Sequence, residues 1–138
     1  AGPFNGPQDF GLWDRCITRG LPGSMLPGGY GNSYQIVQSP GVVAIRYEMV
    51  HDTRIIPLDG RPHVGTGIRQ YMGDARGHFE GDTLVVETKG FSPKSNFMGS
   101  SSGLQLVERF TRIGPDTLQY EYAEGRSTIT FTKALEAG

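Results

Sequence analysis

The six residues 117–122, Thr-Leu-Gln-Tyr-Glu-Tyr, decide the fold class of this chain. Their apolar side chains fall on one face of an extended strand and their polar side chains on the other. In the segment Ser127–Leu135, Ile129 and Phe131 alternate with threonines in the same way. A period of two is typical of half-buried antiparallel strands. The two segments flank Glu124-Gly125-Arg126, and we therefore predict a hairpin there.

Similar segments occupy most of the chain before this hairpin. The turn sequences Gly81-Asp82 and Gly114-Pro115-Asp116 predict two further hairpins. The segment 52–58 either continues the strand before it or begins another. The predicted strands are Ser33–Gln38, Val42–Val50, Asp52–Leu58, Ala75–Glu80, Thr83–Lys89, Gln105–Ile113, Thr117–Ala123 and Ser127–Leu135. Short connections favour a meander, folded as a sandwich or closed as a barrel. We predict an all-β, antiparallel, lipocalin-like barrel of about eight strands, because closure removes exposed edges and can enclose one small ligand.

Composition and length limit the organisation of the chain. Its 138 residues include 21 glycines and 9 prolines, which excludes a helical bundle or a coiled coil. We predict a single domain over residues 1–138, with an irregular N-terminal arm over 1–33 and a β-meander over 34–135. Within the arm, the segment from Asp9 to Arg19 predicts one short helix, with Asp9 as its N-cap. Cys16 is the only cysteine, so an intrachain disulfide is excluded, and we expect a buried free thiol.

Charge and hydropathy limit the partners. The formal net charge is −1, so the chain has no overall positive field that would attract nucleic acid. No stretch approaches the ~20 apolar residues of a membrane-spanning helix, and we expect no membrane insertion. The partner that remains is a small molecule or a second copy of the chain.

The candidate site lies between His51 and His78. All three histidines, these two and His63, fall within these 28 residues, which are also rich in charged side chains. If the strand from Val42 continues without a bulge, His51 lies on its apolar face and Arg54 on the opposite face. The next strand places four polar residues on one face, namely Asp74, Arg76, His78 and Glu80. Such a row is costly to bury unless its members pair with each other or with a ligand.

Several interpretations of this cluster stay open. In a catalytic site, the histidines would transfer protons, because imidazole titrates near neutral pH, and arginines would hold an anionic group. The candidate catalytic residues are His51, His78, Asp74 and Glu80, and the candidate ligand-binding residues are Arg54, Arg76, Tyr47 and Asp52. The same residues could instead be ordinary ion pairs and hydrogen-bonded histidines of the strands. Three histidines could bind a metal, but their spacings of 12 and 15 residues match no compact ligand motif. We therefore predict neither a metal nor a cofactor.

Two functions follow from these alternatives. In the first, the chain is a small-molecule-binding barrel, with acid–base activity as a hydrolase or lyase at the His/Asp/Arg/Glu cluster. In the second, it is a non-catalytic structural subunit, a homo-oligomer that assembles through its Gly-rich segments or strand edges. A cavity beside a histidine is expected for the first function and not for the second.

Long motifs in the chain resemble a family of uncharacterised, apparently exported proteins of soil bacteria. The motifs are Met49–His63, Met72–Thr88, Leu106–Arg112 and the following Ser127-Thr128, and the resemblance covers roughly Trp13 to Thr132. Members commonly have Trp where this chain has Phe79, which is a mild, apolar departure. The resemblance implies a periplasmic or extracellular protein and carries over no catalytic residue. Members are often longer at the N-terminus and begin with an export signal, so we expect this chain, which begins Ala-Gly-Pro, to be a mature or shortened form.

Overall fold

The computed structural model describes residues 4–31, 33–95, 103–124 and 127–134, the last segment and Glu124 by their strand placement alone. Its strands form two antiparallel sheets in which neighbours in sequence are also neighbours in space. The first sheet contains β1 (Tyr34–Ser39), β2 (Val42–Tyr47) and β3 (Thr53–Pro57). The second contains β4 (Asp74–Glu80), β5 (Thr83–Lys89), β6 (Leu106–Arg112), β7 (Thr117–Glu124) and β8 (Ser127–Ala134). The prediction of an all-β antiparallel chain is confirmed.

The predicted hairpins pair as their turn residues indicate. Gly81 turns the chain between β4 and β5 with a left-handed φ of +59°, which glycine adopts without steric cost. The segment Gly114-Pro115-Asp116 separates β6 from β7, and the Ile113 amide donates to the Thr117 carbonyl at 3.1 Å. Strands β7 and β8 also pair, with Glu124 opposite Ser127, although residues 125 and 126 of that turn lie outside the described residues.

The predicted closed barrel is wrong. The described strands form two sheets, and no hydrogen-bonded ladder joins β3 to β4. The connection 58–73 contains Pro62 and four glycines, and it makes only the isolated bridge of Gln70 to Phe91 instead of a strand. Strands β3 and β4 meet through side chains instead. At Gly77 a Cβ atom would lie 2.7 Å from Ile56 Cγ2 and 2.9 Å from Leu58 Cδ2, so only glycine allows this approach.

The strand from Val42 is also interrupted. It ends at Tyr47, and the 3₁₀ turn Met49–His51 follows, in which Val50 and His51 have φ values of +61° and +54°. The interruption shifts the alternation, so that Arg54 faces the interior beside Ile56. The predicted placement of Arg54 on the outer face, and of His51 on a continuous apolar face, is therefore wrong.

A single hydrophobic core lies between the two sheets. Leu21 and Met25 of the N-terminal segment join it. The strands contribute the remaining large apolar residues, Val43, Ile45, Tyr47, Ile56, Leu84, Val86, Leu106, Phe110, Leu118, Tyr120 and Tyr122, together with Phe91 and Leu104 from the connections. Both sheets therefore depend on the same buried apolar surface, which is the main stabilising contribution to the fold.

The N-terminal segment departs from its prediction in two respects. The expected helix from Asp9 to Arg19 is wrong: the described residues form the 3₁₀ helix Pro7–Asp9 and then irregular turns. The Asp9 carboxylate accepts hydrogen bonds from the amides of Asn5 and Gly6, so it caps the turn before it. Cys16 is exposed, which contradicts the buried thiol. No helix of the described residues is long and apolar enough to cross a membrane.

Candidate functional site

The predicted site residues lie in separate environments and do not surround one opening. His51 lies exposed in the turn between β2 and β3, where its backbone is left-handed. Its neighbour Asp52 accepts a hydrogen bond of 2.7 Å from the Thr18 hydroxyl. Because Thr18 is buried in the N-terminal segment, this contact attaches that segment to the first sheet. Asp52 therefore has an internal partner, and its ligand-binding role stays a prediction.

His78 and Glu80 lie on the outer face of β4. His78 Nε2 is 3.2 Å from Glu80 Oε1, and the Arg109 guanidinium donates to Glu80 Oε2 at 2.6 Å. The hydrogen bond from Arg109, with a smaller contribution from His78, holds the pKa of Glu80 below its usual range. The expected contact between His78 and Glu80 is thus present. All three side chains are about half exposed on an open face, and their catalytic role stays a prediction.

Arg54 and Tyr47 lie in the core. Arg54 Nη2 donates to Glu108 Oε2 and to Thr88 Oγ1, both at 2.5 Å, and the Tyr120 hydroxyl donates to Glu108 Oε1 at 2.8 Å. Burial lowers the pKa of Arg54, but Glu108, Tyr47 and Tyr120 together raise it above its usual value, so the guanidinium keeps its charge. Burial also raises the pKa of Tyr47. The ion pair of Arg54 with Glu108 joins β3 of one sheet to β6 of the other inside the core.

The sequence contained a signal for this buried cluster that the prediction missed. Glu108 has the same parity in its strand as Leu106 and Phe110, so alternation places its carboxylate on the apolar face. A charge at such a position requires a buried partner of opposite sign. Arg54 reaches Glu108 because the turn Met49–His51 interrupts the strand and reverses which residues of β3 face the core. That interruption was not predicted.

Asp74 forms a polar cluster at the start of β4, and one of its partners is His63. Asp74 Oδ2 accepts hydrogen bonds from His63 Nδ1 at 3.0 Å and from the Val64 amide at 2.9 Å. Asp74 Oδ1 accepts from Arg76 Nη1 at 2.7 Å. Burial would raise the pKa of Asp74, but these three hydrogen bonds together lower it below its usual range. Asp74 is therefore ionised at neutral pH and orients the imidazole of His63.

Arg76 holds the loop that carries His63. Its guanidinium donates to the carbonyl oxygens of Arg61 and Pro62, at 3.1 Å and 2.8–3.0 Å, as well as to Asp74. These bonds fix the segment just before His63 against β4. Arg76 thus has several internal acceptors and acts here as a positioning residue. Its predicted ligand-binding role stays a prediction.

A cleft of about 360 Å³ opens beside this cluster. Its walls are formed by His63, Val64, Gly65, Thr66, Ile68, Arg69, Asp74, Lys89, Gly90, Gly103, Leu104 and Gln105. Backbone hydrogen bonds from the Gln70 amide to the Gly90 carbonyl, at 3.0 Å, and from the Ser92 amide to the Gln70 carbonyl, at 2.8 Å, bring its two long walls together. The same bonds place two cationic side chains, Arg69 and Lys89, in one cleft with the imidazole.

The cleft was not predicted as a site, and neither was His63 as its histidine. His63 lies in the irregular connection between the sheets, where no strand alternation indicates the direction of a side chain. Its position 11 residues before Asp74 was the only available signal. Within the described ranges, no group of three or more His, Cys, Asp or Glu side chains is placed to hold a metal ion.

Comparison of the chain with protein-family models, with curated proteins and with solved structures finds no match.

Proposed function

We propose that the protein is an exported small-molecule-binding protein that takes a small organic anion in the cleft beside His63, with His63 and Asp74 as an acid–base pair. One observation carries the proposal: an imidazole held at 3.0 Å by a buried carboxylate lines a cleft that also contains Arg69 and Lys89. The resemblance to exported proteins supports the location. Lys89 Nζ lies 3.4 Å from Glu87 Oε2, but this pair is about half exposed, and Lys89 with Arg69 in the same cleft favours an anionic ligand over a neutral or cationic one.

The geometry supports a chemical role for each group. Because Asp74 accepts from Nδ1, neutral His63 has its lone pair on Nε2, the atom that can take a proton. No hydrogen bond to Nε2 occurs among the described residues. In a hydrolytic reaction, Nε2 takes a proton from water while the water oxygen bonds to the ester carbonyl carbon. The imidazolium then returns the proton to the alcohol oxygen as the carbon–oxygen bond breaks.

Anion binding is tested by titrating the isotope-labelled protein with acetate, succinate or inorganic phosphate and recording its NMR spectrum at each step. We expect succinate to shift the His63 ring signals and the amide signals of the cleft walls. The change Lys89→Gln should raise Kd about threefold to tenfold, because it removes one partly exposed cation. The matched control is Lys94→Gln, which removes the same charge from an exposed lysine outside the cleft. The absence of any anion-induced shift in the cleft, or an equal effect of both changes, would contradict the proposed binding.

Acid–base activity is tested with mono-4-nitrophenyl succinate, an ester that carries one free carboxylate. We expect His63→Gln to lower kcat by about 10²–10⁴-fold, because general base catalysis contributes about that much. The control is His78→Gln, since His78 lies on the open face of β4 and not in the cleft. An unchanged rate in the His63 variant, or an equal loss in the control, would assign no acid–base role to His63.

A further inference from the structure

Strand β1 is an exposed edge. It pairs with β2 on one side, and no other described strand pairs with it. Five of its six residues are exposed, including Ile36 at 38 % and Val37 at 47 %. The backbone N–H and C=O groups along the outer side of such a strand can be paired by the main chain of another strand.

The composition of β1 offers no protection against such pairing. Its sequence, Tyr-Gln-Ile-Val-Gln-Ser, contains no charged residue and no proline. Strand β4, at the edge of the second sheet, is different, because it carries Asp74, Arg76 and Glu80 and packs beside β3. Natural proteins commonly use charges or proline to keep an edge strand from pairing with another chain. The first sheet lacks these features at β1.

The outer face next to this edge is apolar. Val37 lies opposite Ala44 of β2, and Ala44 lies opposite Ile55 of β3, so the three form one row across the sheet. Ile55 is 55 % exposed, and the row therefore faces solvent in the single chain. Isolated exposed apolar residues are common, but a row that ends at an unpaired edge extends directly onto any strand added there.

We propose that β1 pairs with β1 of a second copy of this chain, antiparallel, about a two-fold axis at Val37. An uncharged strand has no charge by which to select a different partner, and in this register its outer face matches itself, while on the inner face Ile36 lies opposite Gln38 of the second copy. Val37 then lies opposite Val37 of the second copy and Gln35 opposite Ser39, so apolar meets apolar and polar meets polar on the outer face. The apolar row becomes six residues long, from Ile55 of one copy to Ile55 of the other.

The oligomeric state tests this pairing. Light scattering coupled to size exclusion, over about a hundredfold range of protein concentration, should show a dimer of the unchanged chain. Val37→Lys should be monomeric, because two lysines would meet at the axis, whereas Ile55→Lys should remain a dimer. Circular dichroism checks that both variants fold, which is expected since both side chains are exposed. A monomer at every concentration would overturn the proposal and leave an extended segment of another protein as the occupant of the edge. Loss of the dimer in both variants would indicate contact between sheet faces and would also overturn it.

The register is tested by cross-linking in a Cys16→Ser background, because Cys16 is exposed. Val37→Cys should form an interchain disulfide under mild oxidation, since residue 37 lies opposite itself. Gln35→Cys should not, because its symmetry mate lies about four residues along the partner strand, roughly 13 Å away. Cross-linking through position 35 and not through 37 would exclude the proposed axis.

Discussion

Arg54 and Glu108 form an ion pair whose side chains are 2 % and 0 % exposed. Removing two charges from water costs several kcal/mol for each ion, and the Coulombic attraction offsets this only when other hydrogen bonds are made as well. Glu108 has such bonds, since it accepts from both Arg54 and Tyr120. Arg54 is less well satisfied, because its Nε and Nη1 atoms are buried with no hydrogen-bond partner in the described part of the chain. The pair therefore adds little net stability, but neither charge can be removed alone.

The cost of leaving one buried charge without its partner predicts the effect of removing one side chain of the pair or both. Glu108→Leu should lower the free energy of unfolding by about 3–5 kcal/mol, because it leaves an uncompensated guanidinium in the core. The double change Arg54→Met with Glu108→Leu should lose less than this single change, since no buried charge remains. Urea denaturation followed by circular dichroism measures both. Arg54→Met alone completes the comparison: if the loss in the double variant equals the sum of the losses in the two single variants, the pair is not coupled as the structure indicates.

Asp74, a largely buried carboxylate at the edge of the cleft, holds the loop that carries His63. Its three hydrogen bonds come from His63, Val64 and Arg76, and Arg76 in turn holds the carbonyl groups before His63. The sequence predicted Asp74 as a catalytic residue together with His51 and His78, whereas the structure places it against His63. His63 was not among the predicted catalytic residues, because it lies outside the predicted strands, where alternation gives no side-chain direction.

At the scale of elements, the point of closest approach is between β3 and β4. Gly77 of β4 lies against Ile56 and Leu58, and it has no Cβ to separate them. The register of β4 with β5 places Gly77 opposite Val86, which is fully buried. Gly77 thus lies where the cores of the two sheets join, and its size sets the distance between them.

Gly77→Ala should therefore destabilise the protein by about 1–3 kcal/mol, the usual cost of an added atom in a well-packed core. The new Cβ would lie 2.7 Å from Ile56 Cγ2, and that side chain would have to move. Gly29→Ala is the control, because a Cβ there meets nothing within 4 Å and its φ is not left-handed. Both changes restrict the unfolded chain equally, so the difference between their unfolding free energies reports the clash. Equal stabilities of the two variants would show that β3 can shift freely.

The elements themselves were largely predictable. Alternation and turn residues identified β4 to β7 and their hairpins, because each depends on local sequence. The interruption after Tyr47 was not predictable in the same way. Val50 and His51 adopt left-handed conformations that non-glycine residues rarely adopt. Neither residue type predicts a turn. That one unpredicted turn placed Arg54 in the core.

At the scale of the whole molecule, the prediction was right about the kind of strands and wrong about how they close. Local patterns determine where strands form, but closure of a barrel depends on contacts between strands that are distant in sequence. Here the irregular connection 58–73 separates the sheets, and its residues form much of the cleft. Neither the separation of the two sheets nor the cleft was predictable, because both depend on the conformation of a segment without periodicity.

The strictly sequential strand order affects how the chain folds during its synthesis. Each strand within a sheet pairs with the one made just before or after it, so local pairing can follow synthesis. The link between Arg54 and Glu108 is different, because it spans 54 positions. The first sheet can be complete by residue 57, yet its interior carries an unmatched positive charge until β6 arrives. Strand β6 therefore completes the buried ion pair that β3 begins. In a chain truncated before residue 108, Arg54 would have no carboxylate partner, and water would enter the incomplete core to solvate it.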